Sequence, residues 1–333
     1  MNPNSYAAWT NRGVTLNSLK QNEEALKDYN RAIEINSDGY TAWINRGVTL
    51  DNLERYEEAL NAYDRVIEIN PNSDQAWTNR GVTLDKLKRY EEALSAYDRA
   101  IEINPNNERT RTRRGPTLDK LKRYKEALQA DDRAIKINPN SDQAWINRGL
   151  TLDKLTIYEE ALNAYDRAIE INPNNDFSWV HRGITLDKLK RYEEALKAYD
   201  RAIEINPNSH KSWLAYSFGL ARLNRYEEAL RACNRAVDIE SNDLDTWLFR
   251  YRVLKNLKFN EEAFEAKKRI QYLIKKSDQS NLSKVVENTN KNKVSLLLKI
   301  KCIPWGKLFP TSFLLAIFLI VIEFVFFLTL SLI

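Results

Sequence analysis

Tryptophan returns every 34 residues, at Trp9, Trp43, Trp77, Trp145, Trp179, Trp213 and Trp247, with one gap at Arg111. A chain with such a period is a stack of similar units, so its 333 residues do not imply two or three globular domains. Glycine follows four places after the Trp position, at Gly13, Gly47, Gly81, Gly115, Gly149 and Gly183. A Tyr-Glu-Glu-Ala-Leu block starts at Tyr56, Tyr90, Tyr158, Tyr192 and Tyr226, and an Ile-Asn-Pro-Asn block closes the unit at Pro71, Pro105, Pro139, Pro173 and Pro207. Glycine and proline are scarce, at 9 each, and 29% of residues are charged with both signs interspersed, the composition of a helical body.

Each unit reads as two helices. In the second unit Trp43, Gly47, Leu50 and Leu53 share one face at helical spacing, and Ala59, Leu60, Tyr63, Val66 and Ile67 form the stripe of the next helix. Gly47, with no side chain, lets the two helices approach closely. Asn70-Pro71 stops the second helix, because the residue before proline is pushed out of the α region. Ser73 or Asp74 can cap the helix that follows. No single unit can bury these stripes alone, so neighbours must stack. The arginine at the seventh place (Arg12, Arg46, Arg80, Arg148, Arg182) can pack its stem while its head reaches water.

The Trp, Gly, Tyr, Ala, Pro pattern resembles the tetratricopeptide repeat family, over residues 6–277. The resemblance implies an all-α fold, a right-handed superhelical solenoid of about eight helix-turn-helix units starting near 6, 40, 74, 108, 142, 176, 210 and 244. It also implies that the first helices line a concave groove that takes partner proteins or extended peptides.

Some units depart from the pattern. In the fourth, Arg111 replaces Trp, Arg113 replaces Asn and Asp131 replaces Tyr, while Pro116 falls inside the first helix. A mid-helix proline costs about 3 kcal/mol or kinks the helix. This unit reads either as a hinge or specialised binding unit, or as drift in a redundant array. The eighth has Tyr251 for Gly and Lys267 for Tyr, as suits a terminal unit. Met1-Asn2-Pro3-Asn4-Ser5 looks like the end of a preceding loop, so either repeats stood upstream or the first hairpin frays.

Residues 309–333 are expected to form a transmembrane helix. From Phe313 to Ile333 seventeen residues are Leu, Ile, Phe or Val, each favouring insertion by roughly 0.3–0.6 kcal/mol, against about 3 for Glu323. The segment 278–308 reads as a linker with an interfacial stretch near Val294 to Ile303. From Lys267 to Lys307 there are eleven Lys or Arg against Asp278 and Glu287, a basic excess that suits a lipid surface better than nucleic acid. The positive-inside tendency then puts the repeats in the cytoplasm. Met1 is followed by no signal-peptide pattern. Cys233 and Cys302 form no disulfide framework; Cys233 reads as core packing.

No catalytic constellation, metal site, cofactor motif or small-molecule site is expected. His181 and His210 lie in different units with no fixed partner, and the Glu57/Glu58 and Glu91/Glu92 pairs suit the helix dipole at the start of second helices. Binding is expected on the first helices. Asn11, Asn45, Asn79 and Asn147 recur at the sixth place, away from the packing stripe, where amides can pair with a peptide backbone. They look like the asparagine ladder of the O-linked N-acetylglucosamine transferases. A second row, Asp51, Asp85, Asp119, Asp153 and Asp187, would make part of the groove acidic. Some members of the family clamp a chaperone C-terminal carboxylate, and Asn79, Arg109 and Arg113 sit at three of the five matching places. The other two are Ile44 and Val48, which cannot pair with a carboxylate. The expected function is a membrane-tethered scaffold or adaptor. The alternatives are a regulatory or substrate-recruiting arm of an enzyme and a chaperone-docking receptor.

Overall fold

The two apolar stripes of each 34-residue repeat fold back on one another through a turn of fixed shape. The computed structural model describes residues 4–276, which contain helices and turns and no strand. Seven hairpins follow in order: α1 (Tyr6–Ser18) with α2 (Asn22–Ile35), α3 (Tyr40–Asn52) with α4 (Tyr56–Ile69), α5 (Asp74–Lys86) with α6 (Tyr90–Ile103), and α7 (Glu108–Lys120) with α8 (Tyr124–Ile137). The series continues with α9 (Asp142–Lys154) and α10 (Tyr158–Ile171), α11 (Asp176–Lys188) and α12 (Tyr192–Ile205), and α13 (His210–Arg222) and α14 (Tyr226–Ile239). α15 (Leu244–Asn256) opens the eighth repeat, and residues 260–276 are helical. The chain divides into two units, Met1–Asn260 and Glu261–Ile333. The first holds the seven hairpins and α15; the described part of the second is helical.

The turn between the helices of a hairpin is a Schellman turn without glycine. In repeat 2 the Arg55 N–H donates to the Leu50 carbonyl at 2.9 Å and the Glu54 N–H to that of Asp51 at 3.2 Å. The pivot residue takes a left-handed backbone in every repeat: Lys20, Glu54, Lys88, Lys122, Thr156, Lys190, Asn224 and Lys258, with φ between 59 and 62°. Arg55 then forks onto Glu58 at 2.7 and 2.8 Å, fastening the first turn of α4.

Packing inside each hairpin is a ring on a bare backbone. Tyr29, Tyr63, Tyr97, Tyr165 and Tyr199 are fully buried. A Cβ added at Gly47 would lie 2.5 Å from the Tyr63 ring, so glycine is what admits the tyrosine. Each second helix ends at an Asn, or at Glu240 in repeat 7. Ser73, rather than Asp74, caps α5, its Oγ accepting from the Ala76 N–H at 3.2 Å. The first hairpin forms in the same way, with Ser5 capping α1 through the Ala8 N–H.

Neighbouring repeats are tied at the tryptophan. The Trp77 indole N–H donates to the Pro71 carbonyl at 3.0 Å, and Trp145, Trp179 and Trp213 repeat the bond to Pro139, Pro173 and Pro207. The seventh-place arginines do more than reach water. Arg80 Nε donates to Asp64 of the preceding second helix at 2.7 Å, and Arg148 and Arg182 do the same to Asp132 and Asp166. Each helix packs on those before and after it, and from α1 to α13 the odd-numbered helices also touch from repeat to repeat. The odd helices therefore form one continuous inner layer of the first unit.

Repeat 4 keeps this frame. Arg111 takes over the bond of the missing Trp, its Nε donating to the Pro105 carbonyl at 2.8 Å. Pro116 does not break α7, which runs 13 residues through it. Having no N–H, Pro116 leaves the Thr112 carbonyl without its helical donor. Asn147 Nδ2 from the next repeat donates to that carbonyl at 2.9 Å.

Among the described residues no helix is long and apolar enough to cross a membrane. The expected linker 278–308, with Cys302, and the expected span 309–333, with Glu323, lie outside the described residues.

Candidate binding surface on the first helices

Recurrence at the sixth place puts Asn11, Asn45, Asn79 and Asn147 on the inner layer, yet they are not four equal rungs. Asn11 is exposed and Asn45 half-buried, while Asn79 and Asn147 are 4% and 5% exposed. Asn147 already bonds Thr112 and accepts from Gln143 Nε2 at 2.9 Å, and Asn79 Oδ1 accepts from Arg109 at 3.3 Å. The deeper rungs of this ladder therefore already tie neighbouring repeats. Arg113, His181 and Ala215 hold the same place in repeats 4, 6 and 7.

The aspartates correct the expectation of an open acidic row. Asp51 and Asp153 are 9% and 8% exposed, and Asp85 and Asp187 are half-buried. Asp51 accepts from the Tyr63 hydroxyl of its own repeat at 3.0 Å and from the Thr83 hydroxyl of the next at 2.8 Å. Asp85 does so from Tyr97 and Thr117, and Asp153 from Tyr165 and Thr185. Asp187 keeps its tyrosine, Tyr199, but Gly219 stands where the threonine would be. Burial, with a tyrosine hydroxyl from the same repeat and, for Asp51, Asp85 and Asp153, a threonine hydroxyl from the next, makes this row an internal tie between repeats. Burial first, then the neighbouring carboxylate charge, pushes the Tyr63, Tyr97, Tyr165 and Tyr199 hydroxyls far above the usual phenol range.

Arg109 and Arg113 are exposed on α7 and line a concavity of about 570 Å³ formed by α5, α7 and α9. Lys86 and Lys120 line it too. Reading the sequence missed both lysines, although their thirteenth-place recurrence (Lys86, Lys120, Lys154, Lys188) is legible in it. Lys154 and Lys188 bind the buried aspartates of the preceding repeats, Asp119 and Asp153, at 3.0 and 3.1 Å. Lys120 forms no such pair with Asp85 and instead lies over the Tyr90 ring at 5.1 Å. Four cations line it against two acids, Asp85 and Glu108, and one of the four, Lys86, is already paired with Asp51 at 3.7 Å, leaving Arg109, Arg113 and Lys120. Asp85 is held by Tyr97 and Thr117, and Glu108 accepts from Asn138. The surplus positive charge lies in a hollow where partial exclusion of water strengthens its attraction for an anion. Ile44 and Val48 are apolar and buried or half-buried, so the five-residue carboxylate clamp is not complete.

The remaining reactive groups are quiet. His181 lies against the Phe177 ring at 4.2 Å and the Tyr165 ring at 6.0 Å, and burial lowers its pKa to about 4, so it is neutral at pH 7. Cys233 is buried, and desolvation pushes its thiol up to about 11, in keeping with core packing. Among the described residues no three His, Cys, Asp or Glu side chains are placed to hold a metal ion.

Hairpins stacked at constant register, with first helices forming one polar inner layer, define a helical-repeat protein. The tetratricopeptide repeat model matches residues 6–38, 40–73, 75–107, 143–175 and 177–209, and the chain belongs to that family. The gap in this match falls on repeat 4. Among solved structures, a tetratricopeptide repeat protein from Parabacteroides merdae is 16% identical, with a TM-score of 0.60, 75% of this chain and 98% of that chain being covered. The Cut9-Hcn1 hetero-tetramer of the APC/C gives 15% identity and a TM-score of 0.61 over 73% of this chain and 48% of that one. YrrB, a tetratricopeptide repeat protein described as having an unusual peptide-binding site, is 27% identical, with a TM-score of 0.45 and coverage of 55% and 95%. The first two likenesses show the fold. No curated protein matches the chain.

Proposed function

We propose that the chain is a non-catalytic scaffold that binds segments of partner proteins along its inner layer and holds them at a membrane. The observation that carries the binding reading is the basic concavity of repeats 3 to 5, with Arg109, Arg113, Lys86 and Lys120 around about 570 Å³. Its complement is an acidic segment of a partner protein. The repeat arrangement supports this, since consecutive first helices offer a continuous surface longer than one domain face. The membrane reading rests on the apolar run from Phe313 to Ile333 behind a basic linker.

The test is titration of a fluorescent glutamate-rich peptide into the full chain in neutral detergent. Changing Arg109 and Arg113 together to Ala should weaken binding by about tenfold or more, and salt should weaken the wild-type complex in parallel. Unchanged affinity removes the reading. Recovery of the chain in the soluble fraction after alkaline extraction of membranes would remove the tether.

A further inference from the structure

The inner layer changes character towards its C-terminal end. At the ninth place the earlier repeats carry Val14, Val48, Val82, Pro116, Leu150 and Ile184; repeat 7 carries Phe218. At the sixth place, where Asn recurs, repeat 8 carries Phe249. The two rings face each other across α13 and α15 with centroids 3.6 Å apart and planes tilted by 32°. Phe249 is buried, whereas Phe218 is 38% exposed. Beside them opens a slot of about 190 Å³, which Tyr226 and Val253 help to line. A cavity of about 150 Å³ is enough to hold a benzene ring.

The rim of the slot is cationic. Arg222 and Arg252 line it, and none of the lining residues is acidic. Among the described residues neither guanidinium makes a hydrogen bond or an ion pair within 4.0 Å. Arg222 acts only through its field on Asp187, which it lowers while burial raises it. At the same thirteenth place, Lys154 and Lys188 are bound to an aspartate of the preceding repeat. Repeat 7 thus leaves its cation available beside an apolar slot.

We propose that this slot is a second partner-binding site, taking an aromatic side chain that carries a carboxylate beside it. The occupant is a segment of a partner protein, chosen by charge: the chain's own stretch from Lys284 to Lys307 is basic and is repelled by Arg222 and Arg252. The site extends the proposed function, resting on the reading of the inner layer as a binding surface. It lies on the same sixth, ninth and thirteenth places as the basic concavity. One extended segment, acidic at one end and aromatic with acid at the other, can span both.

The probe is N-acetyl-4-fluorophenylalanine, which has the ring and the carboxylate, observed by fluorine NMR against the full chain in neutral detergent. The expected result is saturable binding, with the uncharged amide of the same compound about tenfold weaker. Changing Arg222 and Arg252 together to Ala should bring the acid down to the level of the amide, and Phe218→Ala should weaken both forms. Phe218 is exposed, and both arginines lie on the surface, so these variants keep the fold. Arg109→Ala with Arg113→Ala should leave the probe unaffected. The inference is overturned by equal binding of acid and amide with no response to the slot variants, which is uptake by detergent. It is equally overturned by loss of binding in the Arg109/Arg113 variant, which places the probe in repeat 4. Failure here with the acidic peptide still held at Arg109 and Arg113 leaves the proposed function standing.

Discussion

Repeats 3 and 4 have the same helices and turns and differ in what fills them. In repeat 3 the Tyr97 ring covers Gly81 and its hydroxyl bonds Asp85. In repeat 4 the tyrosine is Asp131, fully buried, with Gly115 still bare beneath it. One threonine hydroxyl, Thr151, now serves both Asp119 and Asp131, at 3.2 and 3.1 Å, and Asp131 Oδ1 has no partner. Burial, with Asp119 and Asp132 adding to it and Arg148 opposing, raises the Asp131 pKa well above the usual carboxylate range. The frame survives because its ties lie elsewhere: in the alanines of the second helix, the Schellman turn, and Arg111 standing in for Trp. A repeat can therefore trade a core ring for a buried acid and stay in register.

The comparison can be broken most strongly at the glycines. Gly81→Val drives a branched side chain into the Tyr97 ring, whose nearest atom lies 2.5 Å from the added Cβ; such overpacking costs about 3 kcal/mol. Gly115→Val meets the Asp131 carboxyl, 2.1 Å from the added Cβ, which is a smaller group than a ring and can turn aside, so it should cost less. Unit-resolved hydrogen exchange on the full chain measures both, since repeat arrays do not unfold as one transition. Equal losses at the two sites would mean that the ring is not what demands glycine.

Restoring the ring is the converse. Asp131→Tyr should fill the space over Gly115 and return a hydroxyl to Asp119, raising protection of α7 and α8 by about 2 kcal/mol. Reduced protection would show that repeat 4 has repacked around its acid.

Buried Asp131 and half-buried His181 should give opposite pH responses. Asp131 is raised in the folded state, so the fold holds its proton more tightly than the open chain does. Its contribution is complete below the ordinary carboxylate value of 3.8 and is lost as pH rises through the folded pKa. His181 is lowered from 6.5 to about 4, so its contribution is present above 6.5 and is lost as pH falls towards 4. Between those limits, α7 and α8 should lose protection as pH rises while α11 gains it, each by at most about 1.4 kcal/mol per pH unit. Asp131→Asn should flatten the first response only; if it leaves that slope intact, Asp131 is not its source.

The smallest effect sharpens the account of Pro116. Asn147→Ala removes the donor to the Thr112 carbonyl and should cost about 1 kcal/mol. With Pro116→Ala in place, a backbone N–H serves that carbonyl and the same change should cost almost nothing. Additive effects in the double variant would separate Asn147 from the proline.

The sequence was most informative where one side chain meets its own helix. The stripe of Ala59, Tyr63 and Val66, the Asn-Pro stop, a cap at Ser73 or Asp74 and the place of the glycine were all legible. Contacts between repeats were less so. Asp51, Asp85 and Asp153 share one face and read as an open acidic row, but the next repeat lays a threonine over them. Asn147 reads as a groove rung, yet a proline 31 residues earlier claims it. Phe218 and Phe249 carry no signal in a periodic pattern, because each is a departure from it.

By itself the sequence determined the period, the two helices of each repeat and the residues that face inward, because hydrophobic spacing and turn chemistry act over a few residues. Only the tertiary structure decided which inward polar groups stay available. That depends on how one helix lies across the next, 32 to 35 residues away along the chain, and a carboxylate or amide has no fixed role until a neighbouring donor or acceptor is brought against it.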